Sequence, residues 1–182
     1  MDKKEIRNEI RQRLKGLDVE IRRAESQRIF EAVERLPRFA SADVVALFLS
    51  LHDEPQTRSF AERWYKRKRI VVPRVCGEEM EFFDYHPDRL RKGAFGIEEP
   101  DNDAAPCRTG EIDFMVVPAV AFTRDGRRLG RGGGFYDRYM SHPAFRAFAA
   151  GVCFSVQVVE DLPVEPHDRA VDTVISGNNI QS

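Results

Sequence analysis

Asp43-Val-Val-Ala-Leu-Phe-Leu-Ser50 is a continuous apolar run of strand length closed at both ends by a polar residue. A strand with one wet face alternates apolar and polar side chains. A run that is apolar throughout suits a parallel strand covered on both faces. Working outward, Arg69 to Val75, Met80 to Tyr85, Ile112 to Pro118, Phe148 to Phe154 and Val171 to Ser176 read as further strands. Helical patterns alternate with them. Asp2 to Leu17 places Ile6, Ile10, Leu14 and Leu17 on one stripe, with Gly16 as a stop. Asp18 caps a second helix that Ile29, Val33 and Leu36 pin to a core and Pro37 ends. Thr57 to Lys68 reads as a third, and Gly134 to Met140 opens a fourth. Arg91 to Pro100 reads as loop, and 100–110 as an exposed loop. This alternation predicts one three-layer α/β domain over residues 1–182, with a mostly parallel central sheet and helices on both faces. Ligands of such sheets sit beyond the strand C-termini. The segments 48–54 and 117–137 both leave strand C-termini, so both point to that edge.

Gly126 to Tyr139 is the segment richest in chemistry. Gly130, Gly132, Gly133 and Gly134 interleave with Arg131 and follow Arg127 and Arg128. Glycine allows φ > 0 and close backbone approach to a ligand. Successive amides in such a turn, with a helix start behind them, form an anion site. Arginine adds a fork that matches phosphate oxygens. The pattern is neither a Walker A loop nor the dinucleotide fingerprint. The bland alternative is a glycine-rich turn before a helix.

The formal net charge is −1, so no global field recruits nucleic acid or anionic membrane. Cys76, Cys107 and Cys153 are odd in number and far apart, which fits neither a disulfide framework nor a zinc site and points to a reducing cytoplasm. The N-terminus is charged from Asp2, unlike a secretory leader, and no apolar run is long enough to span a bilayer. His52, His86, His142 and His167 have no metal-ligand spacing.

Arg128 to Asp137 resembles the signature of the 5-formyltetrahydrofolate cyclo-ligase family, Arg-Leu-Gly-Arg-Gly-(Gly or Lys)-Gly-Tyr-Tyr-Asp. Other stretches match in the family's order: Lys3 and Arg7, Phe48-Leu49-Ser50 with Asp53-Glu54, Val72-Pro73-Arg74, Gly93 to Pro100, Val117-Pro118, Ala121-Phe122, Leu162-Pro163, His167-Asp168 and Val171-Asp172. The similarity spans nearly the whole chain. Phe135 departs from it where tyrosine is usual, and some relatives have tryptophan at Phe95.

The resemblance implies ATP-dependent cyclisation of 5-formyltetrahydrofolate, with ATP as co-substrate, Mg²⁺ as cofactor, and a soluble monomer without nucleic-acid or membrane partners. It implies ATP contacts from Lys3, Lys4, Glu5, Ile6, Arg7 and from Arg128, Leu129, Gly130, Arg131, Gly132, Gly133, Gly134, Phe135 and Tyr136, with Arg131 catalytic. It places Leu49, Glu54, Phe95 and Phe135 at the folate, and acidic groups at Asp137 and Asp172 near the metal. Each has a plain alternative. Lys3 and Arg7 suit the solvated face of an amphipathic helix. Asp137 complements a helix dipole, and Asp172 suits a turn. Two other functions stay open on the residues alone: an enzyme of related architecture acting on a sugar phosphate or coenzyme A ester, and a non-catalytic nucleotide- or folate-binding module.

Overall fold

The apolar run at 43–50 lies at the centre of the sheet in the computed structural model, which describes residues 1–93, 96–178 and 180–181. The strands are β1 (Val44–Ala46), β2 (Arg69–Cys76), β3 (Glu79–Asp84), β4 (Leu90–Lys92), β5 (Glu98–Pro100) and β6 (Pro106–Cys107) in the first part of the chain. They continue with β7 (Phe114–Val117), β8 (Ala121–Phe122), β9 (Arg128–Leu129), β10 (Phe148–Cys153), β11 (Thr173–Ser176) and β12 (Ile180–Gln181). The helices are α1 (Lys3–Lys15), α2 (Val19–Arg35), α3 (Pro37–Ala40), α4 (Arg58–Trp64) and α5 (Phe135–Met140).

The main sheet has the order β12-β11-β10-β7-β1-β2-β3-β6. Its five central strands, β11 to β2, are parallel, and β12, β3 and β6 join antiparallel at the edges. Val45 of β1 registers with Ile70 on one side and Phe114 on the other, and all three are buried. From β1 the chain moves to one side to make β2. It later returns to the other side of β1 to make β7. The loops leaving β1 and β7 therefore diverge, and the crevice between them is the place where an open α/β sheet takes a ligand.

On one face, α2, α3 and α4 lay Ile29, Val33, Phe39 and Phe60 on Val45, Leu47 and Phe114. Phe39 meets the rings of Phe60 and Phe114 at 5.4 and 5.6 Å. Each such fully buried side chain contributes about 1.5–3 kcal/mol. The other face is thinner. Tyr139 and Met140 of α5, with Phe122 of β8, cover Ala46, Met115 and Val117. Helix α1 lies over neither face: Ile6, Ile10 and Leu14 pack on Ala121, Leu129, Phe154 and Leu162 in a core of their own. Asp2 caps α1 by accepting the Glu5 N–H at 2.8 Å, and Gly16 follows its last turn.

Several details differ from the expectation, among them the short helix α3, which begins at Pro37, and the edge strand β12. The segment 91–100 is not all loop: β4 and β5 pair through Arg91 opposite Glu99, an ion pair of 3.0 Å with no apolar alternation to reveal it. Within 100–110, Pro106–Cys107 pairs with β3 as the edge strand, where a proline is tolerated. Helix α4 stops at Trp64 rather than Lys68. The hairpin β8–β9 is unexpected, its strands being two residues each.

Candidate active site

Phe48 and Leu49 leave β1, Pro118 and Ala119 leave β7, and together they border a cleft of about 420 Å³ at the switch point. The glycine loop follows β9 along one side. Gly132 has φ +115° and Gly134 φ +71°, conformations that a side chain would strain. A Cβ on Gly134 would also lie 2.7 Å from Arg138 Nη1. Arg138 donates to the carbonyls of Gly133 at 2.8 Å and Glu78 at 2.6 Å, which ties the loop to the β2–β3 turn. Helix α5 has only six residues, so the cradle depends on loop amides and cations more than on a helix dipole.

Arg128 and Arg131 behave differently. Arg128 is buried, donates from Nε to the Pro118 carbonyl at 2.9 Å, and lies over the Tyr136 ring at 5.2 Å. Its Nη1 is 3.4 Å from Asp137 Oδ1. Arg131 is half-exposed and crosses toward the loop after β1, with Nη2 2.8 Å from Asp53 Oδ1 and 3.5 Å from Glu54 Oε2. Glu54 is buried, and its Oε1 accepts the Leu51 N–H at 2.8 Å. Burial pushes its carboxyl above the usual glutamate range, although the Leu51 amide and Arg131 pull the other way.

Helix α1 brings two cations to the same cleft. Arg7 Nε donates to the Gly130 carbonyl at 2.8 Å. Lys3, one turn earlier, is 2.8 Å from Asp168 Oδ2 and 3.4 Å from Glu165 Oε1. Burial raises the Asp168 carboxyl, but the Lys3 ammonium and the Glu165 N–H outweigh it and hold it below the usual range. The lining also includes the apolar side chains of Val75, Met80 and Ile97, with Glu98 and Glu99 beside them.

Of the residues singled out in the sequence, Lys3, Arg7, Leu49, Glu54 and all of Arg128 to Asp137 line this cleft. Lys4, Glu5 and Ile6 do not. Steps of 100° along a helix carry them off the Lys3–Arg7 face. Lys4 is exposed, Glu5 accepts the Asp2 N–H at 2.7 Å as part of the cap, and Ile6 is buried in the α1 core. Asp172 is also absent from the cleft. It precedes β11, and its Oδ2 accepts the Ala149 N–H at 2.7 Å, so it stitches the amino-terminal ends of β10 and β11. Phe95 lies outside the described residues. His167 and Asp168 line the cleft, and Asp53 binds Arg131, yet neither pairing has a local sequence signal. Lys3 and Asp168 are 165 residues apart, Asp53 and Arg131 78. Among the described residues, no group of three or more His, Cys, Asp or Glu is placed to hold a metal ion.

Fold and cleft define a doubly wound α/β protein with a cationic, glycine-rich cradle at its switch point, facing a buried carboxylate. The family model of 5-formyltetrahydrofolate cyclo-ligases matches residues 1–177, and the chain belongs to that family. The 5-formyltetrahydrofolate cyclo-ligase of Escherichia coli K12 is 32% identical over 94% of this chain and 98% of its own. The mouse enzyme of the same name is 29% identical, over 95% and 92%. The solved structure of 5,10-methenyltetrahydrofolate synthetase from Aquifex aeolicus superposes with a TM-score of 0.89 at 32% identity, covering 100% of this chain and 92% of that one. The Mycoplasma pneumoniae synthetase gives 0.78 at 26%, covering 96% and 98%.

Proposed function

We propose that this protein is the ligase its family name describes, converting 5-formyltetrahydrofolate and ATP to 5,10-methenyltetrahydrofolate, ADP and phosphate. One observation carries the reading: a single cleft at the switch point joins the glycine–arginine loop to the buried Glu54 carboxylate. The loop amides with Lys3, Arg7 and Arg131 form the end suited to a triphosphate. Glu54 suits adjacent N–H donors on a pterin edge. The apolar side chains of Val75, Met80 and Ile97, with Leu49 and Phe135, suit the faces of a ring system.

A formyl oxygen is a poor leaving group. The γ-phosphoryl group passes to that oxygen, breaking the bond to ADP and leaving an imidate-like phosphate. N10 of the folate attacks the activated carbon and loses its proton, and the C–O bond breaks to release phosphate. No covalent enzyme nucleophile takes part. The chain positions the two substrates and neutralises charge, the main work in phosphoryl transfer. Arg131, half-exposed and held by one guanidinium nitrogen, is placed to follow the charge on the transferring group.

Asp137 is the residue that fits Mg²⁺. Its contacts with Arg128 and with the Arg169 N–H both fall on Oδ1, and Oδ2 carries none among the described residues. One carboxylate, completed by phosphate oxygens and water, is the donor set Mg²⁺ takes in nucleotide sites. When bound, the ion offsets triphosphate charge. Asp137→Asn should therefore raise the Mg²⁺ concentration needed for half-maximal rate and leave folate binding in place.

Among the described residues no helix is long and apolar enough to cross a membrane, and the three cysteines are unpaired. We place the reaction in the cytoplasm, with residues 1–182 acting as one monomeric domain. The test is absorbance. Purified protein with 5-formyltetrahydrofolate should develop the near-ultraviolet band of the methenyl product only when MgATP is added. Folded protein that binds both ligands and forms no product is the outcome that would reduce it to a binding module.

A further inference from the structure

Arg131 is a wall between two cavities. One is the cleft. The other, about 120 Å³, lies behind it and is bordered by Arg7, Arg11, Asp53 and Gln157 as well as Arg131. Glu54 borders only the cleft, and Asp53 only the smaller cavity. The Arg131 guanidinium touches both carboxylates, and the shorter contact, 2.8 Å against 3.5 Å, goes to Asp53.

We infer that Asp53 is a positioning residue: it holds Arg131 back from Glu54 and so keeps the buried carboxylate open to the substrate. The inference rests on the reading of Glu54 as the folate contact. Once Asp53 is removed, Arg131 loses its nearer acceptor, the one at 2.8 Å. Arg7 borders both cavities, and Lys3 and Arg128 border the cleft, so the neighbouring cations favour neither side and Glu54 decides where the guanidinium turns. On the cleft side stands Glu54, a buried carboxylate with one oxygen bound to the Leu51 amide and the other already 3.5 Å from Arg131. A bidentate arginine–carboxylate pair is the strong arrangement for those two groups. Once formed, it occupies the lone pairs that a pterin edge needs. Asp53 works as a competing acceptor. Nη2 is shared between the two carboxylates, Asp53 holds the shorter contact, and the half-exposed guanidinium remains able to turn toward phosphate.

The test is a double-mutant cycle on folate binding without ATP. The Kd of 5-formyltetrahydrofolate is measured by calorimetry for wild type, Asp53→Ala, Arg131→Ala and the double variant. Asp53→Ala should weaken binding by about tenfold, the scale of one hydrogen bond to a charged group. In the Arg131→Ala background the same change should have no effect, because nothing is left to capture Glu54. Asp53→Glu, whose carboxylate still reaches Arg131, should bind as wild type does. A wild-type Kd for Asp53→Ala overturns the inference. So does an equal loss in both backgrounds, which would mean that Asp53 only supports its loop. The two readings separate in the wild-type protein. Absence of folate binding there removes the Glu54 assignment and this inference together. Wild-type binding and turnover with no effect at Asp53 removes this inference alone.

Discussion

The two ends of the parallel sheet carry the same kinds of charged residue and use them in opposite ways. At the amino-terminal end, Asp113 accepts the Asp43 and Val44 amides at 3.0 and 2.9 Å and pairs with Arg146 at 2.7 Å. Asp172 accepts the Ala149 amide, and Arg69 pairs with Asp84 at 2.6 Å. These carboxylates are bound to backbone or to an adjacent arginine and stitch neighbouring strands. At the carboxyl-terminal end, Lys3, Arg7, Arg131, Glu54, Asp137 and Asp168 border a cleft of about 420 Å³. In the proposed function their charge faces the substrates. An acidic residue is thus tied to backbone or open to the cleft according to which end of the parallel sheet it sits at.

The comparison breaks first at Arg131. Arg131→Ala should cost about 2–4 kcal/mol in kcat/KM, as for one lost transition-state donor. Wild-type kcat/KM would remove this residue from the chemistry and weaken the contrast at its strongest point. Next comes the α1 pair. Lys3→Ala with Arg7→Ala should raise the ATP KM, lower kcat and spare folate affinity. Stabilisation by MgATP, about 2.7 kcal/mol at one hundred times Kd in the wild type, should largely disappear. If MgATP protects the double variant equally well, α1 is scaffold and the triphosphate lies elsewhere.

The amino-terminal end should respond in stability alone. Asp113→Ala should destabilise by about 1–3 kcal/mol, because two amides and Arg146 lose their acceptor, with kcat/KM unchanged. Its pH dependence has a definite sign. Burial raises the Asp113 carboxyl, but the Val44 and Asp43 amides and Arg146 outweigh it, so the folded pKa is below the usual value. The stability it contributes is present above the unfolded pKa of about 3.9 and is lost as pH falls through the lower folded value. Chemical denaturation as a function of pH should show that acid limb in wild type and less of it in the variant. The smallest effect belongs to Asp172→Asn. It should cost roughly 0.5–1.5 kcal/mol of stability, the worth of one ordinary hydrogen bond, and leave the Mg²⁺ titration where it was. A shifted titration would return Asp172 to the metal and blur the two ends.

Much of this division was legible in the residues. The apolar run at 43–50 identified a central strand, and Asp2 and Gly16 marked the ends of α1. Lys3 and Arg7 at helical spacing predicted one shared face, and they share the cleft. What stayed hidden depends on contacts far apart in sequence or on elements too short for a period. The β8–β9 hairpin has two residues per strand, and β4–β5 is polar at most positions. Asp172 before β11 and Asp137 in the first turn of α5 are each a lone acidic residue in sequence; only topology separates the one that stitches strands from the one that borders the cleft. The Lys3–Asp168 and Arg131–Asp53 pairs required the fold to bring them together.

Helix α1 packs on the small core of Ala121, Leu129, Phe154 and Leu162 and not on the sheet, and Leu129 immediately precedes the glycine loop. With fewer buried side chains there than in the sheet, α1 and the loop should open together and below the global unfolding energy. Amide hydrogen exchange should reveal it. In the free protein, the amides of α1 and of β9 should exchange together and faster than those of β1 and β7. A nucleotide bridging Arg7 and the loop should slow both groups by one common factor, so that the N-terminal helix reports occupancy of the cleft through its own exchange rate.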